Sequence, residues 1–307
     1  MVSTQPQITV LGSINMDLVV RCMDLPRPGE TILAESSAEI CGGKGANQAV
    51  AAARVGGNVR MIGRVGDDAF ADVLLKNLMN EGVDCSSVRR TDDCASGLAV
   101  VAVESSGQNS IVVVPGANGR LTVDDVAQSR SQIESADVLL VQLEVPVPTI
   151  LAAVEVAKQA NVRVILDPAP APSHLPEELL TVDVICPNES ETAALTGRPV
   201  ETLSELQAAA EALGESGQCR VAITLGERGT MLVESPGNLT HIPAVSIEAV
   251  DTTAAGDAFA GALAVYWAEG HPLPDAVRFA NRAGAIAASR PGAQPGMPYR
   301  DEIEAWM

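Results

Sequence analysis

The feature that most constrains the fold is a regular alternation of apolar strands and helical segments that begins near Asp137. The apolar run Val138–Leu143 is followed by a helical pattern over Val147–Ala160 and then by a second apolar run, Val162–Leu166. Further strands and helices are predicted at Val182–Cys186, Glu189–Thr196, Thr202–Leu213, Arg220–Leu225, Asp257–Glu269 and Pro274–Ala288. Such alternation predicts a mostly parallel sheet that is covered by helices on both faces.

The N-terminal part of the chain adds two pieces of a different kind to this pattern. A strand, a helix, a strand and a helix of the main type are predicted at Ile8–Gly12, Ala46–Val55, Asn58–Arg64 and Asp67–Glu81. Mixed polar and apolar alternation at about 15–41 and 95–115 instead predicts antiparallel strands, at Asp17–Cys22, Thr31–Cys41, Ser96–Glu104 and Asn109–Pro115. These pieces are too short for domains, so we expect a single domain over residues 1–307 with a small sheet that projects over one end of the main one.

Charge and cysteine content limit the partners of the chain. The formal net charge is −19 and the pI about 4.4, so a nucleic acid or an anionic membrane would be repelled. We find no stretch of about 18 uncharged apolar residues, and we therefore expect no membrane span. The six cysteines are scattered without a CxxC pair, which disfavours a metal framework or a disulfide scaffold and indicates a reducing cytoplasm.

The segment Asp251–Asp257 (DTTAAGD) places two acids around small and hydroxyl residues, directly before the apolar run Ala258–Trp267. If that run is a helix, the N–H groups of Ala255, Gly256 and Asp257 are unpaired at its N-terminus, where such groups bind phosphate. A carboxylate among them suits a base that acts on a hydroxyl attacking the phosphate. The alternative is a purely structural Asp257 that caps the helix, because Asp is a preferred capping residue.

Polar residues after the early strands are candidates for binding a polyol. Asn15 and Asp17 share one face of an extended segment, and an amide beside a carboxylate suits hydroxyls that both donate and accept. Glu144 ends an apolar strand and could bind a hydroxyl or face solvent. Gly42–Asn47 (GGKGAN) precedes a helix and lets the backbone approach a small ligand, although it matches neither a Walker A loop nor a GxGxxG fingerprint. Simple turns are the alternative for each of these segments.

Two later segments are candidates for the nucleotide side. Asn188 and Glu191 are three residues apart on a predicted helix and could order waters around Mg²⁺, or simply form a capping box. The glycines of Thr224–Gly229 (TLGERG) allow close contact with a nucleotide, and Arg228 could reach a phosphate. A tight turn between two strands is the alternative for this second segment.

Taken together, these residues resemble the ribokinase-like (pfkB) family of carbohydrate and nucleoside kinases, over about Ile8–Trp306. The most specific blocks are Gly42–Asp68 (GGKGANQAVAAARVGGNVRMIGRVGDD) and Asp251–Leu263 (DTTAAGDAFAGAL), while NESE and TLGERG match the family's phosphate and nucleotide segments. The resemblance implies a three-layer α/β/α fold with a mostly parallel central sheet and a small antiparallel β lid. It also implies phosphorylation of D-ribose at its 5-hydroxyl, with ATP and Mg²⁺.

The same resemblance implies a role for each candidate residue. Asp257 would be the base, and the amides of Ala254, Ala255, Gly256 and Asp257 would form an anion hole for the transferred phosphate. The sugar would be held by Asn15, Asp17, Gly43, Lys44, Asn47, Glu144 and Asp257. The nucleotide would be bound by Asn188, Thr224, Gly226, Arg228, Gly229, Gly256 and Asn281. Mg²⁺ would be held through water by Asn188 and Glu191.

The resemblance further implies a monovalent cation activator, usually K⁺, and a homodimer formed through the lid. The cation ligands would be Asp251 and the carbonyl groups of Thr253, Ala287, Arg290 and Gly292. Gly296 stands where a serine is common in the family, so we expect a cation site that is weaker, completed by water or different in its ligands.

Other functions remain open at this point. A kinase of the same fold could act on 2-deoxyribose, fructose or a nucleoside, although Asn15, Asp17 and Glu144 favour a small sugar rich in hydroxyls. A sugar sensor without catalysis is disfavoured by the intact Gly256 and Asp257. A dinucleotide oxidoreductase is disfavoured because the turn after the first strand has a single glycine.

Overall fold

The computed structural model of the protein describes residues 5–105, 108–172, 174–217, 219–235 and 237–306. Its strands are β1 (Gln7–Leu11), β2 (Asn15–Cys22), β3 (Ser36–Gly42), β4 (Asn58–Val65), β5 (Asp84–Arg90), β6 (Gly97–Glu104), β7 (Asn109–Val114), β8 (Val138–Val141), β9 (Arg163–Leu166), β10 (Val184–Ile185), β11 (Arg220–Thr224), β12 (Thr230–Ser235) and β13 (Asn238–Ile242). They form one sheet of nine strands and a smaller sheet of four.

The helices are α1 (Lys44–Arg54), α2 (Ala69–Asn80), α3 (Val123–Gln128), α4 (Arg130–Glu134), α5 (Val147–Gln159), α6 (Glu189–Thr196), α7 (Leu203–Gly217), α8 (Ala255–Ala268), α9 (Leu273–Ala288), α10 (Ala293–Gly296) and α11 (Arg300–Glu304). Two apolar cores lie on opposite faces of the large sheet. One core includes side chains of α1, α2, α8 and α9, and the other includes side chains of α3, α4, α5 and α7. The predicted three-layer α/β/α architecture is therefore confirmed.

The large sheet has the strand order β13-β12-β11-β10-β9-β8-β1-β4-β5. The pairs from β11 to β5 are parallel, and only β12 and β13 pair antiparallel at one edge. Strand β8 (VLLV) is buried along its whole length, as expected for a strand covered on both faces. From β1 the chain continues through β4 to β5 at one edge, and from β8 it continues through β9 toward the other edge. The strand order therefore reverses between β1 and β8.

The smaller sheet, which we call the lid, has the order β3-β2-β6-β7. As predicted, β2 pairs antiparallel with β3, and β6 pairs antiparallel with β7. The two hairpins are joined by a parallel pairing of β2 with β6, from Asn15 and Gly97 to Cys22 and Glu104, which the alternation pattern did not indicate. Positions 106 and 107, between β6 and β7 in the sequence, lie outside the described residues.

Several element boundaries differ from the predictions. The predicted strand Thr31–Cys41 begins only at Ser36, because its pairing with β2 ends at the pair Arg21 and Ser36. Strand β5 and the short helices α3 and α4 were not predicted. In β5 the burial alternates irregularly, and its sequence DCSSVRR is more polar than a central strand. Among the described residues, no helix is both long and apolar enough to cross a membrane.

Candidate active site

The candidate site lies where the strand order of the large sheet reverses. In open α/β sheets, ligands bind beyond the carboxyl ends of the strands at such a point. Here Ser13 follows β1, Glu144 follows β8 and Asp167 follows β9. The first residue of β2, Asn15, leaves the same edge toward the lid. The topology therefore gathers these polar residues at one edge of the sheet.

Close packing of α1 against α8 brings the catalytic candidates together. A Cβ atom built on Gly261 of α8 would lie 2.6 Å from the Cβ of Ala51 and 2.8 Å from the backbone N of Ala52. Only a glycine allows the two helices to approach this closely. Lys44 and Asn47, in the first turn of α1, consequently lie beside Asp257 in the first turn of α8.

The N-terminus of α8 is open to a ligand. Ala254 precedes it with a φ of 59°, and the Ala258 N–H donates to the Ala254 carbonyl oxygen over 2.9 Å. Helix geometry leaves the N–H groups of Gly256 and Asp257 without such an intrahelical acceptor. A Cβ atom on Gly256 would meet no atom within 4 Å, so the space beside it is free. The predicted Ala255 amide differs, because it donates to the Thr252 carbonyl oxygen over 3.2 Å.

Asp257 is buried, with 4% of its surface exposed, and both of its carboxylate oxygens accept hydrogen bonds. Asn47 Nδ2 donates to Oδ2 over 3.0 Å, and Gln48 Nε2 donates to Oδ1 over 3.2 Å. The ammonium group of Lys44 lies 3.9 Å from Oδ1. These contacts hold the carboxylate in one orientation in front of the helix N-terminus.

Asp167 is a second buried carboxylate at the site, and it was not predicted from the sequence. Its Oδ2 accepts from Gln48 Nε2 over 2.9 Å and lies 3.3 Å from Lys44 Nζ. Burial raises the pKa of Asp167, and Asp257 and Glu191 raise it further, while Lys44 opposes the shift. Asp167 directly follows a buried strand, so the criterion that identified Glu144 would also have found it.

Lys44 is the cation of the site. Burial alone would lower the pKa of its ammonium group, but Asp167, Asp257 and Glu144 raise it above its usual value. Lys44 therefore remains charged at neutral pH. A fixed positive charge in this position can stabilise negative charge that develops on a phosphoryl group.

Of the predicted sugar residues, Asn15 and Asp17 lie on β2 of the lid, and Glu144 follows β8 of the large sheet. Glu144 Oε2 accepts from Ser13 Oγ over 2.5 Å and from the Lys44 backbone N–H over 3.2 Å. Burial raises the pKa of Asp17 to about 7, with further contributions from Glu144 and Asp257. These three carboxyl groups are thus close enough to influence one another.

Two further contacts shape this pocket. The buried Asn118, which was not predicted from the sequence either, donates from Nδ2 to Asn15 Oδ1 over 2.7 Å. The amide nitrogen of Asn15 is thereby left to donate to a ligand. Gly43 has a φ of 89°, and a Cβ atom there would lie 2.7 Å from the Asn15 backbone N. Gly43 thus allows α1 to begin directly against the start of β2.

The predicted nucleotide side includes a cleft that adjoins the open helix N-terminus. It is lined by Lys44, Asp167, Cys186, Asn188, Glu191, Thr224, Gly256, Phe259 and Ala260. Asn188 and Glu191 form the capping box that was considered as the alternative: Glu191 N donates to Asn188 Oδ1 and Asn188 N donates to Glu191 Oε2, both over 2.8 Å. The cap uses one carboxylate oxygen of Glu191, so the other can accept from water around Mg²⁺. Capping and lining the cleft are therefore compatible, and the donor set fits a hydrated cation.

The remaining nucleotide candidates lie further from the cleft. Gly226 and Gly229 flank a short turn after β11, and the Arg228 guanidinium is paired with Glu189. Asn281 Oδ1 accepts from Thr230 Oγ1 over 2.6 Å, and Asn281 Nδ2 donates to the Ile242 carbonyl oxygen over 3.2 Å. The side chains of Arg228 and Asn281 are thus held by protein partners.

The predicted cation ligands lie around one turn near α10. Asp251 accepts from the backbone N–H groups of Thr253 and Gly292, each over 2.9 Å. Burial alone would raise the pKa of Asp251, but these hydrogen bonds hold it below its usual value, so the group stays a carboxylate. A Cβ atom on Gly296 would lie 3.2 Å from the Ala287 carbonyl oxygen and 3.4 Å from that of Arg290. The carboxylate and nearby carbonyl groups suit a hard cation.

Comparison with known proteins identifies the family to which the chain belongs. The family model described as pfkB family carbohydrate kinase matches residues 5–300. The chain is 39% identical to a ribokinase of Haemophilus influenzae over 295 residues, which covers 96% of both chains. It is 35% identical to a deoxyribokinase of Salmonella typhimurium over 301 residues, which covers 98% of both. The structure of Arabidopsis thaliana ribokinase complexed with ribose and ATP is similar with a TM-score of 0.89 and 34% identity, covering 98% of both chains.

Proposed function

Because this chain belongs to the pfkB family of carbohydrate kinases, we propose that it transfers the γ-phosphoryl group of ATP to the 5-hydroxyl of D-ribose, giving D-ribose 5-phosphate and ADP. The match over residues 5–300 supports a single catalytic unit that spans nearly the whole chain. The enzyme is thus a phosphotransferase with an alcohol acceptor.

The observation that carries this proposal is the position of Asp257. Its carboxylate is buried in the first turn of α8 and accepts hydrogen bonds from Asn47 and Gln48 of α1. A hydroxyl that donates to this carboxylate would face a phosphoryl group bound by the amides. Both reactants are then held in one line, and positioning of this kind accounts for much of the rate in phosphoryl transfer.

In the proposed mechanism, residues of the lid edge orient the sugar. Asn15 donates to a sugar oxygen, while Asp17 and Glu144 accept from sugar hydroxyls. Asn47 and Gln48 keep the Asp257 carboxylate directed at the attacking hydroxyl, whose proton it accepts. A loose transition state lets that proton leave late, so a carboxylate suffices as the base.

The transferred phosphoryl group is stabilised from the opposite side. The amides of Gly256 and Asp257 and the charged Lys44 point to the negative charge that develops there. Of the four predicted anion-hole amides, that of Ala255 is already bonded to the Thr252 carbonyl oxygen, so Ala255 contributes through the shape of the turn. Asn188 and Glu191 would hold the waters of a bound Mg²⁺, which would supply positive charge against the phosphate oxygens.

The nucleotide itself is proposed to lie along Thr224, Gly226, Gly229 and Gly256. Thr224 and Gly256 line the cleft, which supports this assignment. For Arg228 to reach a phosphate, its guanidinium must leave Glu189, and for the Asn281 side chain to bind the nucleotide, it must exchange its bond with Thr230 or Ile242. These two roles thus depend on a side-chain rearrangement.

We also propose that K⁺ or a similar ion binds between Asp251 and the carbonyl groups of Thr253, Ala287, Arg290 and Gly292. The ordered Asp251 carboxylate supports this, because it joins the start of the segment 251–257 to Gly292. Turnover measured with and without K⁺ tests whether the protein uses such an ion although Gly296 replaces the serine that is common in the family.

A homodimer through the lid is a further proposal. Strand β7 lies at the edge of the lid, and its side chains Ile111, Val112, Val113 and Val114 are between 44% and 65% exposed. A contiguous apolar edge of this kind is typical of an interaction surface. A cytoplasmic location, where ATP is available, completes the proposal.

A coupled assay of ADP release with a panel of sugars tests the substrate. We expect the highest kcat/KM with D-ribose, lower values with 2-deoxyribose and fructose, and little turnover with a nucleoside. The second candidate is 2-deoxyribose, which the similarity to a deoxyribokinase favours. A higher kcat/KM with 2-deoxyribose than with ribose would reverse this order.

Replacement of the base tests the mechanism. Asp257→Asn keeps the shape of the side chain but cannot accept the proton, so turnover should fall at least ~10²-fold. ATP binding, measured by calorimetry, should remain largely intact. Turnover close to that of the wild type would contradict the assignment of Asp257.

A further inference from the structure

We propose that Gln294 is a positioning residue that acts on Asp257 through Asn47. Gln294 lies in α10, near the C-terminus of the chain, and it was not among the residues expected at the site. It has no contact with the carboxylate itself. The inference rests on the proposed function, because it concerns the base and the sugar ligand of that reaction.

A chain of three side-chain amides leads from α2 to the carboxylate. Asn77 Nδ2 donates to Gln294 Oε1 over 2.6 Å, and Gln294 Nε2 donates to Asn47 Oδ1 over 3.0 Å. Asn47 Nδ2 then donates to Asp257 Oδ2 over 3.0 Å. Asn47, Gln294 and Asp257 are only 4–5% exposed, so water does not substitute freely for these bonds.

The carboxylate of Asp257 determines which amide groups donate and which accept along this row of hydrogen bonds. An ionised carboxylate only accepts hydrogen bonds, so Asn47 must present its NH₂ group to Asp257 and its carbonyl oxygen to the other side. That oxygen needs a donor, and the NH₂ group of Gln294 supplies it. Without this donor, the buried carbonyl oxygen of Asn47 would be unsatisfied, and a rotated Asn47 would place its oxygen against the carboxylate.

The backbone of α10 is anchored to the same helix that carries Asn47. The guanidinium of Arg54, in the last turn of α1, donates to the carbonyl oxygens of Gln294 over 2.7 Å and Met297 over 2.8 Å. At the other end of the turn, Gly292 N–H donates to Asp251 Oδ2 over 2.9 Å. The turn 292–297 therefore reaches both ends of the segment 251–257, directly by its backbone at Asp251 and through Asn47 by the Gln294 side chain at Asp257.

The consequence for the reaction concerns the second N–H of Asn47. With its oxygen held by Gln294, Asn47 offers one N–H to Asp257 and one to the sugar, beside the carboxylate that accepts the hydroxyl proton. Gln294 thus selects the donor arrangement of Asn47 without touching either reactant. Loss of Gln294 should weaken the use of the sugar and leave ATP binding unchanged.

Gln294→Met tests this inference, because Met has a similar size and lacks both amide groups. We expect kcat/KM for the sugar to fall about tenfold, as for the loss of one buried hydrogen bond, with the KM for ATP unchanged. The matched control is Gln159→Met on the surface of α5, where the amide bonds to Glu155 and Arg130. The control should keep the turnover of the wild type.

A double-mutant cycle separates positioning from a general loss of structure. If Gln294 acts through Asn47, then Gln294→Met in an Asn47→Ala background should change kcat/KM by less than about twofold. Independent effects that multiply in the double variant would overturn the inference, and so would wild-type kcat/KM in Gln294→Met alone. Should Gln294→Met fail to fold, Asn77→Ala applies the same cycle from the other end of the row of hydrogen-bonded amides. It should lower kcat/KM a few-fold, and this loss must vanish when Asn47 is also replaced.

The cycle also distinguishes failure of the inference from failure of the proposed function. Absence of sugar-dependent ADP formation by the wild type would reject the proposed function. An active wild type together with an unaffected Gln294→Met would reject only the role of Gln294. Equilibrium binding of D-ribose without ATP, measured by calorimetry, gives a second readout, and we expect it to weaken in Gln294→Met and not in Gln159→Met.

Discussion

Replacing Asp17 by Asn should make the ligand-free protein more stable at alkaline pH. Burial, Glu144 and Asp257 raise the pKa of this carboxyl from 3.8 to about 7. The folded protein therefore holds a proton that the unfolded chain has already released over this range. The stabilisation from that proton is present at low pH and is lost as the pH rises toward 7.

The size of the effect follows from the shift. About three pKa units at about 1.4 kcal/mol each correspond to roughly 4 kcal/mol over the whole range. Between about pH 5 and about pH 8, the wild type should lose about 3 kcal/mol through Asp17. Asp17→Asn removes this loss, since an amide does not ionise, so the variant should gain about 3 kcal/mol relative to the wild type between these two pH values.

Urea unfolding at both pH values measures the difference directly. Asp24→Asn, at an exposed position just beyond β2, is the control and should follow the wild type. The same Asp17→Asn variant should bind D-ribose more weakly, because an acceptor for a sugar hydroxyl is lost. An equal difference in the free energy of unfolding between Asp17→Asn and the wild type at both pH values would show that the pKa of Asp17 is not raised.

Three further substitutions address packing, the nucleotide side and the lid. Gly45→Ala would place a Cβ atom 2.7 Å from the backbone of Gly12. We expect the free energy of unfolding, measured by heat or urea, to fall by about 1–3 kcal/mol. Gly119→Ala is the control and should change it little, because the nearest atom is 3.5 Å away. Asn188→Ala removes a helix cap and should cost about 1 kcal/mol of stability; it should also raise the KM for ATP at limiting Mg²⁺, while an unchanged KM for ATP would separate the cap from the cleft. Val112→Asp, at a position 65% exposed on β7, should shift the protein to monomers in sedimentation without lowering its melting temperature, and a persistent dimer would place the interface elsewhere.

Much of the main sheet was predictable from the sequence because its strands are buried on both faces. Continuous apolar runs such as Val138–Leu143 are a strong local signal, and the helix Glu189–Thr196 was predicted with the bounds that the structure shows. Strand β5 is polar and lies at an edge, so no such signal marked it. The parallel pairing of β2 with β6 depends on contacts between distant segments, which periodicity within each segment does not contain.

The candidate site shows the same division. Asp257 and Glu144 were recognised because each lies next to an apolar element, and Asp167 could have been recognised by the same rule. Gln294 could not, because its role depends on α10 returning to the first turn of α1, far away in the sequence. Side chains that act through another side chain leave no local pattern, so the partners of a carboxylate have to be read from its hydrogen bonds.

The parallel pairing within the lid also constrains the order in which the protein can fold. Strands β2 and β6 are separated by β3, α1, β4, α2 and β5, so their first pair, Asn15 with Gly97, closes a loop of roughly 80 residues. Closing such a loop becomes favourable only after the elements between the two strands have docked on the large sheet. Asn15 and Asp17 lie on β2, so we expect the proposed sugar pocket to form only once β6 has emerged and the body of the protein has formed. We therefore expect the lid to form late in folding, after the large sheet.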